Sequence, residues 1–195
     1  MATGRLRDLS RAAGGRLRIR YRTFLLSPQP DPNPMRKEAI MGHWKMARSA
    51  PGGEEINPEL MATREFPYPY STPGAVALKA FARQLPEREG DFVEAIERAH
   101  LVECRNIADP EDLLAVAESL GADIPLMRDA MADPAIEQSV WRDHMDATGL
   151  GIHSTPTVEF AGGGLVVGAQ PFEVFLAAFE AAAGAAGAAN GKPVP

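Results

Sequence analysis

Segments with the patterning of β-strands lie only towards the two ends of this chain, and a long helical stretch separates them. A strand is predicted from Leu17 to about Leu26 because apolar and arginine side chains alternate at period two over residues 17–22, while residues 155–160 and 165–169 are β-rich runs joined by a glycine turn. Residues 74–149 carry helical patterns with short connections. One strand before this block and two after it are too few for two separate sheets. We therefore expect an α/β fold, α+β by content, in which both ends join in one mixed sheet that the helical block interrupts.

Aspartate followed by proline marks the starts of helices within the block. Asp109-Pro110 and Asp133-Pro134 each combine a capping carboxylate with a proline at the first helical position. Gly121 is placed to end the first of these two helices. These signals predict a bundle of short helices.

The end of the chain is predicted to form one more helix and a tail. Pro171 starts that helix, and Phe172, Phe175 and Phe179 form one apolar stripe along it. Residues 184–195 consist mostly of alanine and glycine and end in Lys-Pro-Val-Pro, which predicts a flexible tail.

Composition and charge exclude several classes of protein. The chain has 195 residues, 45% of them apolar, and no apolar run reaches the roughly 20 residues that cross a bilayer. A net charge of −6 argues against a protein that binds nucleic acid through its phosphates. The single cysteine, Cys104, excludes an internal disulfide, a Cys-x-x-Cys pair and a multi-thiolate metal site within this chain.

The first 22 residues are basic, with seven arginines and one acid. An arginine-rich, acid-poor start is also typical of organellar transit peptides. The alternation of Leu17, Ile19 and Tyr21 with arginines favours a strand instead. A secretory apolar segment is lacking and the lone thiol fits a reducing compartment, so we expect a cytoplasmic protein.

Proline is concentrated between the first strand and the helical block. Residues 27–73 are rich in proline and glycine, with a helix predicted over 35–48, and this pattern indicates a long loop or crossover. The aromatic run Phe66 to Tyr70 is expected to pack on the helical block, although it could also line a groove.

Four stretches together resemble one known family. They are Gly151 to Phe160 (Gly-Ile-His-Ser-Thr-Pro-Thr-Val-Glu-Phe), Gly168 to Pro171 (Gly-Ala-Gln-Pro), the helical segment 95–123, and Arg20 to Pro28. This order resembles the DsbA-like branch of the thioredoxin fold, which includes DsbA, FrnE and the 2-hydroxychromene-2-carboxylate isomerases. The resemblance extends over roughly residues 3–183.

The resemblance implies a division of the chain into domains. Residues 1–30 and 150–183 correspond to the thioredoxin-like domain, incomplete at its N-terminus. Residues 31–149 correspond to the helical insertion, with the proline-rich loop 27–73 at its start.

The resemblance also implies a substrate-binding site at the start of the second β-region. Pro156 matches the family's cis-proline, and the backbone of Thr155 before it would then face outward and pair with an extended substrate. His153 could face the same groove. The implied substrate-binding residues are therefore His153, Thr155 and Pro156, and the implied chemistry is thiol–disulfide exchange with a thiol or disulfide substrate, a peptide or a small molecule.

The sequence departs from the family where the family's catalytic Cys-x-x-Cys belongs. The chain begins at Met1-Ala2-Thr3, which resembles the middle of the helix that follows that motif. Either the true start lies upstream, or the chain is a truncated or diverged relative without redox chemistry. No catalytic residue is assigned, and we expect the chain as written to be inactive.

Two other functions remain open. One is a glutathione-dependent enzyme like the 2-hydroxychromene-2-carboxylate isomerases, for which glutathione would be the only cofactor. The other is a non-catalytic module that holds an extended peptide or a thiol ligand. An upstream Cys-x-x-Cys would favour the oxidoreductase, and an upstream serine would favour the isomerase. A genuine start at Met1 would favour the binding module.

The remaining candidates have structural interpretations. Cys104 ends a helical run and is expected to be a partly buried structural cysteine. His43, His100 and His144 occur singly, without the spacing of a metal site, and no metal is expected. No nucleic-acid or membrane partner is expected, and a homodimer paired through exposed strand edges stays open.

Overall fold

The computed structural model describes residues 2–162 and 164–190 and divides the chain into two compact units. One unit combines residues 1–20 with residues 152–195, and the other comprises residues 21–151.

The described residues of the first unit form two helices and a β-hairpin. Its elements are α1 (Ala2–Ala13), β1 (Thr157–Phe160), β2 (Gly164–Val167) and α9 (Phe172–Asn190). The strands pair antiparallel, with Thr157 opposite Val167 and Val158 opposite Val166. The glycine-rich turn between the two β-runs therefore forms the predicted hairpin.

Both helices pack on the hairpin. The buried side chains of this core are Leu9, Ala13, Phe160, Val166, Phe175 and Phe179. In each element these buried residues lie on one side, because alternate residues of a strand face the same way and residues at helical spacing form one stripe. The predicted aromatic stripe of the last helix is thus its core-facing side.

The second unit is helical throughout its described elements. These are α2 (Pro34–Arg48), α3 (Pro58–Thr63), α4 (Ser71–Gln84), a 3-10 turn (Pro86–Arg88), α5 (Glu89–Leu101), α6 (Pro110–Ser119), α7 (Ile124–Ala132) and α8 (Pro134–Gly149). The predicted helical block is present, and the predicted helix over 35–48 is α2.

Side-chain caps explain why these helices begin where they do. Asp109 accepts a hydrogen bond from Glu111 N, and Asp133 accepts one from Ala135 N, both at 2.9 Å. Proline follows each cap at a position where a helix has no partner for an N–H group. The Asp-Pro pairs thus begin α6 and α8 as predicted.

The core of the second unit lies between α4, α5, α6 and α7. Phe81 and Phe92 are fully buried and stack at its centre, with ring centroids 4.4 Å apart. Leu113, Ala117 and Met127 close around them. This core holds together the segment that resembles the family's insertion.

The prediction of a strand over Leu17 to about Leu26 is wrong for this structure. Residues 17–25 form no ladder with a described strand, although the fold class stands. Within the second unit, Thr23 N donates to Asp143 and Leu25 N donates to His144 Nδ1. Side chains of α8 therefore take the place of a strand partner for these N–H groups.

Two further segments differ from expectation. Helix α3 lies within 49–73, where only loop was expected, and Asn57 caps it by accepting from Leu60 N at 3.0 Å. Helix α9 continues to Asn190, although a flexible tail was expected from 184, because alanine is the strongest helix former. The expected tail residues 191–195 lie outside the described residues.

In the described residues, no helix combines the length and apolar character needed to cross a membrane.

Candidate functional site

The predicted substrate site lies in the turn that leads into β1. The Thr155–Pro156 peptide bond is cis. Thr157 Oγ1 donates to the carbonyl of Ser154 at 2.8 Å, which closes the turn before the strand. Gly168 N donates to the carbonyl of Pro156 at 2.8 Å and so ties the turn to the end of β2.

Glycine is required at position 168 for this connection. Its φ is +83°, in the left-handed region that side chains disfavour. The Gly-Ala-Gln-Pro stretch therefore fixes the turn at Pro156 as well as the start of α9. Arg5 of α1 donates to the carbonyl of Ala169 in the same stretch.

The backbone of Thr155 differs from that of its neighbours in its hydrogen bonding. The carbonyls of Ser154 and Pro156 both accept hydrogen bonds, whereas the N–H and C=O of Thr155 have no partner among residues 2–162 and 164–190. Thr155 is an exposed residue. An unpaired donor and acceptor on one exposed residue can pair with an extended chain laid beside it.

His153 lies two residues before Thr155 and is also exposed. Its ring makes no hydrogen bond or ion pair to any described residue. The structure brings His153, Thr155 and Pro156 into one turn. Among the described residues, no group of three or more His, Cys, Asp and Glu side chains is placed to hold a metal ion.

Cys104 occupies a structural position in the other unit. Its side chain is fully buried, and Sγ donates to the carbonyl of Asn57 at 3.2 Å. Arg64 Nε donates to the carbonyl of Cys104 at 3.0 Å. Burial raises the pKa of the thiol, so little thiolate forms. The expectation of a structural cysteine is consistent with this environment.

Sequence reasoning missed an aromatic cluster around His100. The His100 ring meets Trp44 edge to face at 5.0 Å and Tyr68 at 5.6 Å, and Nε2 lies 3.1 Å from the Tyr68 hydroxyl. Burial lowers the pKa of His100 to about 4. The position of His100, four residues after Ile96 on the inner side of α5, is the sequence signal that indicates burial.

The aromatic run packs onto the helical unit, as expected. Phe66 and Tyr68 join a cluster with Trp44 and Leu101. A cleft of about 340 Å³ lies beside them, lined by residues 31–33, 36–37, 62 and 64–68.

The cations that line this cleft are committed to structural contacts. Lys37 Nζ binds the carbonyls of Arg64 and Phe66, and Arg36 forms an ion pair with Asp31 at 3.0 Å. Arg64 itself binds backbone carbonyls. The charged groups of the cleft therefore bind other groups of the same chain, and we assign the cleft no ligand.

Comparison with known proteins identifies the same family along nearly the whole chain. The family model for the DSBA-like thioredoxin domain matches residues 1–180. A search of curated proteins finds no match.

Solved structures share the fold at low sequence identity. A protein assigned as a disulfide isomerase, from Nitrosomonas europaea, is 17% identical with a TM-score of 0.77, over 92% of this chain and 88% of that one. The cytosolic disulfide reductase DsbM from Pseudomonas aeruginosa, in its structure with GSH, is 19% identical with a TM-score of 0.66, over 96% and 91%. A protein assigned as a DsbA oxidoreductase, from Streptomyces coelicolor, is 24% identical with a TM-score of 0.70, over 100% and 86%.

Proposed function

The chain belongs to the family of DSBA-like thioredoxin domains, and on that basis we propose that it binds an extended thiol- or disulfide-bearing peptide at Thr155. In this proposal the chain supplies the substrate seat of a thiol–disulfide exchange, and its own cysteine takes no part. Family membership, together with the assignment of its structural neighbours as a disulfide isomerase, a disulfide reductase and an oxidoreductase, supports the type of chemistry.

The observation that carries the proposal is the unpartnered backbone of Thr155. Its N–H and C=O have no partner among the described residues and Thr155 is exposed as a residue, while the carbonyls on either side are already bonded within the described chain. A peptide laid antiparallel to Thr155 would satisfy one donor and one acceptor with backbone groups of its own. Recognition through the backbone tolerates many side chains, which suits a protein that meets varied disulfide-bearing partners.

His153 and Pro156 supply side-chain contacts in this proposal. The exposed imidazole of His153 can donate to or accept from polar groups of the peptide. Pro156 is half-buried and presents an apolar ring beside the seat. Such contacts flank the backbone pairing and add to its affinity.

The reacting sulfur does not come from Cys104. In thiol–disulfide exchange a thiolate attacks one sulfur of a disulfide, a new S–S bond forms, and the other sulfur leaves as a thiolate. Cys104 is fully buried and burial raises its pKa, so it can neither reach a substrate nor supply a thiolate. We therefore expect the 195-residue chain to bind substrate without turnover.

Calorimetric titration tests the binding claim, with the isolated B chain of insulin in its S-carboxymethylated form as the probe. We expect binding by the unaltered chain, retention in Thr155→Ala, which keeps the backbone N–H, and a loss of about tenfold or more in Thr155→Pro, which removes it. Circular dichroism checks that the proline variant is folded. Equal affinity in the two variants would contradict a seat built from the Thr155 backbone.

An insulin-reduction assay with dithiothreitol or glutathione as reductant tests the chemical claim. We expect no acceleration by the 195-residue chain above the reductant alone. Acceleration that is lost in Cys104→Ser would contradict the structural role of Cys104. Acceleration that persists in Cys104→Ser would mean that another group of the chain carries the chemistry.

A further inference from the structure

Helix α2 uses one of its sides for the core of the second unit. Met41 and Trp44 are each 6% exposed and pack in the cluster that includes Met61 and Cys104. Ala39, by contrast, lies on the opposite side and is exposed. The helix therefore has a core-facing side and an opposite side that needs a separate explanation.

That opposite side carries an apolar stripe. Met35 and Met46 are 63% and 66% exposed, and the exposed residues Ala39 and Gly42 lie between them. At about 100° per residue, the four positions fall within about 60° of one another around the helix axis. Their spacings of four, three and four residues are those of helices that pair side by side.

The stripe is complementary to itself. The pair Met35 and Met46 and the pair Ala39 and Gly42 are both centred between residues 40 and 41. If two copies of α2 lie antiparallel across a two-fold axis, Met35 meets Met46 of the partner subunit and Ala39 meets Gly42 of the partner subunit. Large residues then meet at the ends and small residues in the middle, where the helices approach most closely.

Gly42 has room around it within a single copy. A Cβ added at Gly42 would meet no atom within 4 Å. The space that a partner helix needs at the centre of the stripe is therefore open, and a larger side chain there disturbs a partner without disturbing the described fold.

Charges beside the stripe have the same symmetry. Glu38 and Lys45 lie on one flank of α2 and are both exposed. Neither side chain forms a salt bridge or hydrogen bond in the part of the chain that the structure describes; the nearby Glu59 is bound by Arg48. In the antiparallel arrangement, Glu38 of each copy lies within about one helical turn of Lys45 of the partner subunit, so two ion pairs form.

We propose that this protein forms a homodimer through α2, with the stripe of Met35, Ala39, Gly42 and Met46 packed antiparallel against the same stripe of a second copy. The proposal does not depend on the substrate seat at Thr155. A contact made by one 15-residue helix, about 22 Å long, is smaller than a standard interface, so the dimer is reversible with a dissociation constant on the order of micromolar.

Sedimentation velocity across a range of about 1 to 300 μM tests the proposal on the full chain, over concentrations that bracket a micromolar constant. We expect a rise from monomer to dimer, and a loss of dimer in Met46→Glu and in Gly42→Glu. Met145→Glu is the matched control, because Met145 on α8 is 64% exposed. A chain that stays monomeric throughout, or a dimer that Met46→Glu leaves intact, would overturn the proposal.

Exchanging the charges of Glu38 and Lys45 distinguishes this specific interface from nonspecific association through the exposed methionines. Glu38→Lys or Lys45→Glu alone places like charges together and should weaken the dimer about tenfold. The double variant Glu38→Lys/Lys45→Glu should restore it. Failure of the double variant to recover would contradict the proposed pairing, even if both single variants dissociate.

Disulfide trapping fixes the orientation of the helices. An equimolar mixture of Met35→Cys and Met46→Cys chains should form a mixed disulfide dimer on mild oxidation. Met35→Cys alone should not, because antiparallel helices hold the two copies of residue 35 about 16 Å apart. The reverse result would indicate a parallel pair and overturn the antiparallel proposal. Cys104 is fully buried and should add no background.

Discussion

The hydroxyl of Tyr68 lies 3.1 Å from Nε2 of His100 and joins the loop after α3 to α5. The two rings meet at 67° with their centroids 5.6 Å apart, and Trp44 meets the His100 ring edge to face at 5.0 Å. Burial lowers the pKa of His100 to about 4 and raises the pKa of Tyr68. Both groups are therefore neutral near pH 7, and protonation of His100 would place an uncompensated charge among aromatic rings.

The free energy of unfolding should depend on pH through His100. An unfolded histidine has a pKa near 6.5 and the folded one about 4, so the unfolded chain binds more protons between these values. Stability from this group is therefore complete above about pH 6.5 and falls by up to about 3 kcal/mol as the pH drops to about 4. Urea denaturation at a series of pH values measures this loss.

Replacing the histidine isolates its contribution. His100→Leu should flatten the pH dependence between 6.5 and 4, although it also removes the bond to Tyr68 and lowers stability at pH 7. His43→Leu is the control, because His43 is exposed on α2. If His100→Leu shows the same slope against pH as the unaltered chain, His100 is not the group that titrates.

Cys104 should be unreactive in the folded protein. Its side chain is fully buried, and burial raises the pKa of its thiol, so both access and thiolate formation are low. Ellman's reagent at pH 8 should label Cys104 only as fast as the chain unfolds. A cysteine placed at exposed Ala115 on α6, in a Cys104→Ser chain, should react within seconds; equally fast labelling of Cys104 would show an accessible thiol.

Asp143 should be critical for the stability of the second unit. Its carboxylate lies 2.5 Å from Lys79 Nζ and accepts from Thr23 N, and the side chains of the ion pair are only 14% and 19% exposed. Asp143→Ala removes the ion-pair partner of Lys79 and should cost about 3 kcal/mol or more in chemical denaturation.

Asp146 provides the matched control for that change. It lies on the same helix and forms an ion pair with Arg22, but its side chain is 61% exposed. Asp146→Ala should change stability by less than about 1 kcal/mol. Equal losses of stability for Asp143→Ala and Asp146→Ala would mean that the buried ion pair contributes no more to stability than the exposed one.

The cap of α6 provides a prediction that rests on the sequence and the structure together. Asp109→Ala removes the bond to Glu111 N and should destabilise the chain by about 1 kcal/mol. Asp129→Ala, within α7 and exposed, removes a carboxylate that caps no helix and should have a smaller effect. Thermal or urea denaturation distinguishes the two variants. An equal loss of stability in both would mean that the Asp109 cap does not stabilise α6.

The same capping signal explains where prediction from sequence succeeded and where it failed. Asp109-Pro110 begins a helix because cap and proline act within a few residues, without help from the rest of the chain. Asn57-Pro58 begins α3 by the same local chemistry, but the surrounding proline and glycine concealed it. Local signals are therefore sufficient for helix starts, provided that each is weighed on its own.

Contacts between distant segments could not be predicted from residue types. The period-two pattern predicted a strand at Leu17 to about Leu26, yet a pattern cannot specify a partner, and the N–H groups of Thr23 and Leu25 bond to side chains of α8 instead of a strand. Tyr68 and His100 are 32 residues apart, and no sequence pattern in either segment predicts that the two side chains are in contact. The turn at Thr155 was predicted only through resemblance to a family, because an unpartnered backbone leaves no mark on residue identity.

Amide chemical shifts of the ¹⁵N-labelled chain show directly whether Thr155 is the seat of a bound peptide. On titration with S-carboxymethylated insulin B chain, we expect the largest changes at the Thr155 amide and in the turn from His153 to Thr157, because a new hydrogen bond forms there. Changes confined to other residues, such as those lining the cleft at 31–37 and 64–68, would contradict it.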